Sequence, residues 1–590
     1  MPRGPTLSVW VEREVAETLV GSLESAGIPR LLARLLAIRG VDPDNVDGFF
    51  MPSISDLAKP CELPGIAHSA ETVLGAVSRG EKIVIFGDYD CDGICASAIL
   101  AIAIGVISKN GVRPAVFLPD RLSEGYGMTS ASVSRMLSEN PGVKLLVTVD
   151  NGINSVDEVA KLKSEGISVV VTDHHLPGEN LPAADAIVNP KVASSPRLEW
   201  LCGAGVAFML ANAIVTLARE RGIYSGANVG GPLLVLAGLA TVTDIMPLVG
   251  QNRILVYEAL KRFRSLAPTG LKELLLRASR STAPVLTSKD FSFLIGPRIN
   301  AAGRMSNGME ALKLILSTDR EECREYARIV DVRNADRKSV EQAMLDEALS
   351  KVVHGAPAQV IDLPNGHQGV AGIVAARILE RLGDDPSGGG AKPVCVVVKG
   401  HGSARAPEGY NVCDAFAHAA EALDRFGGHA AAGGFSVKEG EIDRFRELFC
   451  EGCVKQQMDV PESKRGVSVL DVWVDPADIT LEFAENVQRM EPFGEANPEP
   501  VFGMRNVRLA EVRPLGSEGR HLSISFANHA IPKSIWWNKG SKVEQLRAAS
   551  QVLYDIVFTL EISDYVTRHV ELRIVDIVPS LTRTPTLRAE

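Results

Sequence analysis

Lys82-Ile83-Val84-Ile85-Phe86-Gly87-Asp88-Tyr89-Asp90-Cys91-Asp92-Gly93 opens on a short apolar, largely β-branched run and closes on three alternating carboxylates. A run that is apolar throughout reads as a strand buried on both faces. The apolar stretch after it, Ile94 to Ser108, falls short of the roughly 18–20 residues that span a membrane and reads as a buried helix, as does Val206 to Ala218. The same unit recurs downstream: Leu145–Val149 runs into Asp150-Asn151-Gly152, Val169–Thr172 runs into Asp173-His174-His175, and Ala186–Val188 follows. This alternation predicts a parallel sheet with helices on its faces. The polar residues gather at the strands' carboxyl ends, the edge where open α/β sheets bind ligands.

The residue types at that edge point to metal chemistry. Clustered acids repel one another unless a cation neutralises them, and hard oxygen donors favour Mg²⁺ or Mn²⁺. Asp150 and His174 arrive at the same edge. Asp244 lies in the apolar stretch Ala240-Thr241-Val242-Thr243-Asp244-Ile245-Met246-Pro247-Leu248, where a lone carboxylate is costly without a partner. A mixed Asp/His donor set suits Mn²⁺ somewhat better than Mg²⁺.

Asp90-Cys91-Asp92, Asp150, Asp173-His174-His175 and Asp244 match, in order, the motifs of the DHH phosphoesterases. From about Leu31 to beyond Val575 the chain resembles the RecJ-type exonucleases of that family, Glu491-Pro492-Phe493-Gly494 and Asn497-Pro498 included. The resemblance implies two divalent ions, Mn²⁺ or Mg²⁺, held by Asp90, Asp92, Asp150, His174 and Asp244, with Asp150 shared between them. It implies two-metal phosphodiester hydrolysis, with Asp88, Asp173 and His175 in catalytic roles and His175 facing the scissile phosphate. Arg298, Asn300 and Arg304, in Gly296 to Arg304, are candidates to offset charge in the transition state. Arg121 and Tyr126 are candidates to hold the neighbouring nucleotide. In a second domain, His367 and the pair Gly428-His429 match substrate-binding elements. Ser403 and Arg405, in Gly402-Ser403-Ala404-Arg405, resemble a clamp for a 5′ phosphate, a task suited to a hydroxyl and a guanidinium. The chain departs from the family pattern at Phe86, where some members carry a histidine ligand, at Gly366, where a tryptophan is common, and at Ala404, where glycine is usual.

The organisation expected from texture is α/β overall: residues 1–70 as an N-terminal extension on the core, 71–318 as the parallel-sheet catalytic domain, and 319–353 as one long connecting helix. A smaller α/β substrate-binding domain follows at 354–458, then an OB-type β-barrel at 459–580. With a net charge of −10, contact with a polyanion must rest on local basic surface. Residues 507–547 supply it, with seven Lys or Arg against three Asp or Glu. Phe526, Trp536 and Trp537 lie among them, the combination that OB folds use to stack bases. The nine cysteines follow no disulfide or zinc spacing, the isolated Cys450 and Cys453 included, and read as thiols of a reducing compartment.

The function expected is metal-dependent 5′-to-3′ hydrolysis of single-stranded DNA to 5′-mononucleotides in recombination and repair. The chain would act as a cytoplasmic monomer without membrane contact, with a helicase and a single-strand-binding protein as partners. The alternatives are a DHH phosphodiesterase acting on short oligoribonucleotides or cyclic dinucleotides, and a noncatalytic DNA-binding scaffold.

Overall fold

Ile83 and Ile85 point to one side of their strand and Val84 and Phe86 to the other, and all four are buried because each side meets its own apolar layer. That double burial is why the sequence shows no polar alternation here. In this computed structural model the described residues are 9–108, 113–120, 124–125, 127–279, 286–383, 391–457, 467–516, 518–548, 552–563 and 567–580. Strands β1 (Ile83–Phe86), β2 (Ala115–Phe117), β3 (Leu145–Val149), β4 (Ser168–Thr172) and β5 (Ala186–Val188) form a wholly parallel sheet in the order β2-β1-β3-β4-β5. The order reverses between β1 and β3, the place at the strands' carboxyl ends where open sheets of this kind form their binding crevice. The two apolar stretches become the helices Cys91–Ile107 and Gly203–Glu220, which lie against each other in the larger layer.

The chain forms two compact units. One comprises residues 53–461 with 494–496 and holds the parallel sheet. It also holds the long helix Arg320–Ser350, whose N-terminal amide of Glu322 is capped by Asp319, and a second sheet. That second sheet consists of β6 (Gln359–Asp362), β7 (Val394–Val398), β8 (His401–Arg405), β9 (Leu423–His429) and β10 (Ala432–Val437), in the order β9-β10-β8-β7-β6. Only β6 and β7 run parallel in it.

The other unit comprises the residues up to Pro52 with 462–493 and 497–590. Beside a two-stranded parallel pair, Val9–Glu12 with Val467–Leu470, its larger sheet consists of β11 (Val472–Trp473), β12 (Phe502–Leu515), β13 (His521–Phe526), β14 (Ser534–Trp536), β15 (Leu553–Ser563) and β16 (His569–Pro579). The last five close into a barrel because β12 pairs with both β13 and β15. The N-terminal extension therefore divides near Pro52. Leu32, Leu35 and Leu36 of the amphipathic helix Arg30–Ile38 bury with the barrel core, whereas Leu63, Ile66 and Ala70 bury with the parallel sheet. The expected single 1–70 extension on the catalytic core is corrected accordingly. No helix among the described residues is long and apolar enough to cross a membrane.

Leu36→Ala removes a fully buried side chain from the barrel unit and is expected to cost about 2–5 kcal/mol. Hydrogen exchange should show faster opening of Phe502–Leu515 with unchanged protection of Ile83–Phe86.

Candidate active site

Two strand ends at the crevice supply the first donors. The turn after β1 carries Asp88 and Asp90 and leads into the helix that carries Asp92, and Asp150 directly follows β3. Asp90 caps the helix Cys91–Ile107, accepting the backbone N–H groups of Asp92 and Gly93 at 3.0 Å each. Asp88 is buried and accepts the N–H of Tyr89 at 2.8 Å. Gly93 is required here, since a Cβ on it would lie 2.6 Å from that of Asp88. Asp92, in the first turn of the helix, is buried against the N-terminus of Gly203–Glu220, and its two oxygens accept the N–H groups of Gly203 and Ala204 at 2.7 Å each. Unpaired N–H groups at a helix start are natural partners for a carboxylate.

Asp150 adopts a left-handed backbone, φ 62°, an uncommon state for a non-glycine residue and one that concentrates at functional sites. Its carboxylate is buried, and Oδ1 has no hydrogen-bond partner among the described residues. His174 brings Nε2 to 3.1 Å from this Oδ1, 3.7 Å from Asp244 Oδ2 and 3.8 Å from Asp92 Oδ2. The 3.1 Å approach lacks hydrogen-bond alignment, and we read it as two donors directed at a common point between them.

Burial and then the neighbouring carboxylates push Asp150 well above the ordinary carboxylate range and Asp244 up to about 9. Burial also raises Asp92, and it depresses His174 to about 4. Such a site either takes up protons or binds cations. Asp88, Asp90 and Asp150 bring one oxygen each within 4.8 Å of one another, and Asp92, His174 and Asp244 do the same with their own donor atoms. A third group, Asp150 with His174 and His175, links the two. The donors are hard oxygens with imidazole, one carboxylate oxygen is orphaned, and the set fits a pair of divalent ions.

Asp88, expected in a catalytic role, thus stands among the possible ligands. Phe86, at the position where a histidine ligand occurs in some relatives, is fully buried, its ring 5.1 Å from that of Phe117. Asp173 accepts the N–H groups of Ile153, His174 and His175, and its Oδ1 is 2.7 Å from Nδ1 of His175. Burial works against a charged His175, but the bond to Asp173 outweighs it and holds the imidazole above its ordinary pKa.

The remaining expected residues separate. Asn300 Oδ1 accepts the Cys91 N–H at 2.7 Å and so fixes the carboxylate turn. The Arg298 guanidinium, expected to offset charge in the transition state, donates to Asp331 at 2.8 Å and to the Leu294 carbonyl at 2.7 Å. Arg304 donates to the Gly369 carbonyl at 3.2 Å, and His367 Nδ1 accepts the Gly369 N–H at 3.2 Å. Ser403 and Arg405 converge above the first turn of the helix Ala371–Gly383, where a Cβ on Gly372 would lie 2.9 Å from the Arg405 guanidinium and 3.5 Å from the Ser403 hydroxyl. Across the sheet His429 pairs with Ala432, and Ala432 with Arg405, which brings Gly428-His429 into line with this pair. Ala404 points the other way, into the core, and Gly366 lies against Met344 and Val398. Arg121 and Tyr126 lie outside the described residues.

In the barrel Trp536 and Phe526 are each 2% exposed and belong to the core, so neither can stack on a base, which corrects the expectation for Trp536. Trp537 is 45% exposed, edge-on to His521 at 4.6 Å. The amides of Gly203 and Ala204 and the cap from Asn300 were missed in the sequence. Their only signal is a glycine-rich helix start and an Asn within a conspicuous motif.

The description "DHH family, N-terminal domain" matches residues 82–229, and "RecJ OB domain" matches 470–576. The single-stranded-DNA-specific exonuclease RecJ of Escherichia coli K12 is 35% identical over 540 residues, which is 87% of this chain and 88% of that protein. The chain belongs to the RecJ family. The RecJ of Bacillus subtilis 168 is 31% identical over 571 residues, 95% of this chain and 69% of its own length. Among solved structures, the RecJ of Thermus thermophilus in complex with Mn²⁺ superposes with a TM-score of 0.80 at 27% identity, covering 98% of this chain and 80% of that one. The Mg²⁺ complex of that RecJ gives 0.74 at 26%, covering 98% and 79%.

A Cβ on Gly203 would stand 2.6 Å from that of Asp150 and 2.7 Å from its Oδ1, so Gly203→Ala is expected to weaken Mn²⁺ binding roughly 10–100-fold by calorimetry while the chain still folds. In the barrel, Trp537→Ala should cost about 1–3 kcal/mol of single-strand binding with little change in unfolding. Trp536→Ala should instead cost about 3–5 kcal/mol of stability.

Proposed function

We propose that this chain is a metal-dependent exonuclease that degrades single-stranded DNA from its 5′ end to 5′-mononucleotides, in recombination and repair. The observation that carries the reading is the position of Asp150: a buried carboxylate with an orphaned oxygen, placed between two donor groups at the β1/β3 crevice. The relatives' names supply the substrate class, and the Mn²⁺ and Mg²⁺ complexes of Thermus thermophilus RecJ support these ions as the cofactors.

Asp88, Asp90 and Asp150 would hold one ion and Asp150, Asp92, His174 and Asp244 the other. When bound, the pair supplies Lewis-acid activation of a water and of the phosphate. The chain's own residues do the positioning. The helix starts at Cys91 and Gly203 hold Asp90 and Asp92 in place, so neither of these carboxylates must reorganise during the reaction. Asp173 fixes the His175 ring through Nδ1, so the role of facing the scissile phosphate falls to Nε2. Ser403 and Arg405, above the start of Ala371–Gly383, are suited to a terminal 5′ phosphate, and such an end stop would set the polarity.

Trp537 and the surrounding Arg and Lys side chains form the part of the barrel suited to stacking a base and following a backbone. That surface has no use on a cyclic dinucleotide, and an intact donor set has none on a scaffold. A monomer acting in the cytoplasm with a helicase and a single-strand-binding protein completes the proposal.

With Mn²⁺, a 5′-labelled single strand should release labelled mononucleotide first, a 3′-labelled strand should release its label last, and a duplex should resist. Asp150→Ala should bring degradation below detection. Release from the 3′ end, or undiminished activity in Asp150→Ala, would overturn the reading.

A further inference from the structure

After β5 the chain leaves the catalytic sheet through Asn189-Pro190-Lys191, at the same edge that carries Asp150 and His174. Asn189 is buried, and its amide donates to the carbonyl of His175 at 3.0 Å while its Oδ1 accepts the backbone N–H of Lys191 at 2.8 Å. Two hydrogen bonds through one rigid side chain therefore tie the Lys191 backbone to the Asp173-His174-His175 turn. The lysine is half-buried, and among the described residues its ammonium makes no hydrogen bond or ion pair.

Burial disfavours the charge on Lys191, while Asp173, Asp244 and, from outside the cluster, Glu199 favour it without touching it. The ammonium in turn stabilises the charge of Asp244 and opposes protonation of His174, so it stands within electrostatic reach of the centre. A cation partly stripped of water and without a counter-ion is costly. A dication at Asp244 would offset that carboxylate, Asp173 is already engaged by His175, and Glu199 acts from outside the cluster. The anion that can reach the ammonium directly is the substrate. Lysine, a compact charge on a flexible stem, suits a phosphate that must slide through at each turnover.

We propose that Lys191 is a substrate-binding residue whose ammonium pairs with a phosphate of the bound single strand, beside the phosphate being cut. This rests on the exonuclease reading above, and nothing in the sequence motifs assigns it. The contact belongs to the advancing strand and is distinct from the 5′-terminal clamp at Ser403 and Arg405.

The test compares wild type, Lys191→Met and Lys191→Arg on a 5′-phosphorylated single strand with Mn²⁺, across a range of salt concentrations. Lys191→Met is expected to raise KM about tenfold and to flatten the slope of log KM against log salt by about 0.7, the loss of one phosphate contact on a single strand. Lys191→Arg should recover most of both, and thermal unfolding should not move. If the lysine only moderates the field of the carboxylates, Lys191→Met will tighten Mn²⁺ binding and leave KM and the salt slope unchanged, which overturns the proposal. If wild type itself fails to degrade the strand, the exonuclease reading falls first.

Discussion

Repulsion among carboxylates that the fold buries side by side is the constraint on which the rest of this structure depends. Asp92 and Asp150 are almost wholly excluded from solvent, and burial together with neighbouring carboxylates raises both above the ordinary carboxylate range. A sheet edge tolerates this only if fixed dipoles offset part of the cost and cations the remainder. The starts of two helices provide the dipoles, one at Asp90 and one at Gly203. Those helices must run directly into the interior, which explains why Cys91–Ile107 and Gly203–Glu220 are apolar on nearly every face. The glycines at the contact points follow as well, since Gly93 and Gly203 sit where any side chain would displace a carboxylate.

The second sheet answers a different requirement. Recognition of a phosphate terminus needs directional donors on a rigid frame, and β8 offers Ser403 and Arg405 on one face while Ala404 anchors the other in the core. Arg304 and His367 both meet Gly369 just before the helix Ala371–Gly383, so the segment beneath the clamp is held from the catalytic side and from its own domain. Catalysis and end recognition thereby share one compact unit.

What was legible in the sequence was what local pattern dictates. Unalternating apolar runs ending in acids specify a parallel sheet with its chemistry at one edge, and the metal-type donors were found there. What was not legible depended on closure over distance. Trp536 and Trp537 are neighbours of identical chemistry, and only the course of β14 in the closed barrel decides that one is core and the other surface. Arg298 carries a motif position, yet its partner is Asp331 on the long helix. The amphipathic stripe of Arg30–Ile38 announces burial without saying against what, and it lies with the barrel. The turn alone does not reveal which of Asp88, Asp90 and Asp92 face a common point.

The central claim is that Asp150 stands between two ions held by separate donor groups. Anomalous diffraction at the manganese edge from crystals soaked in Mn²⁺ tests it directly. The account predicts two peaks per chain, one among Asp88, Asp90 and Asp150 and the other among Asp150, Asp92, His174 and Asp244. A single peak, or a pair that does not share Asp150, would contradict it.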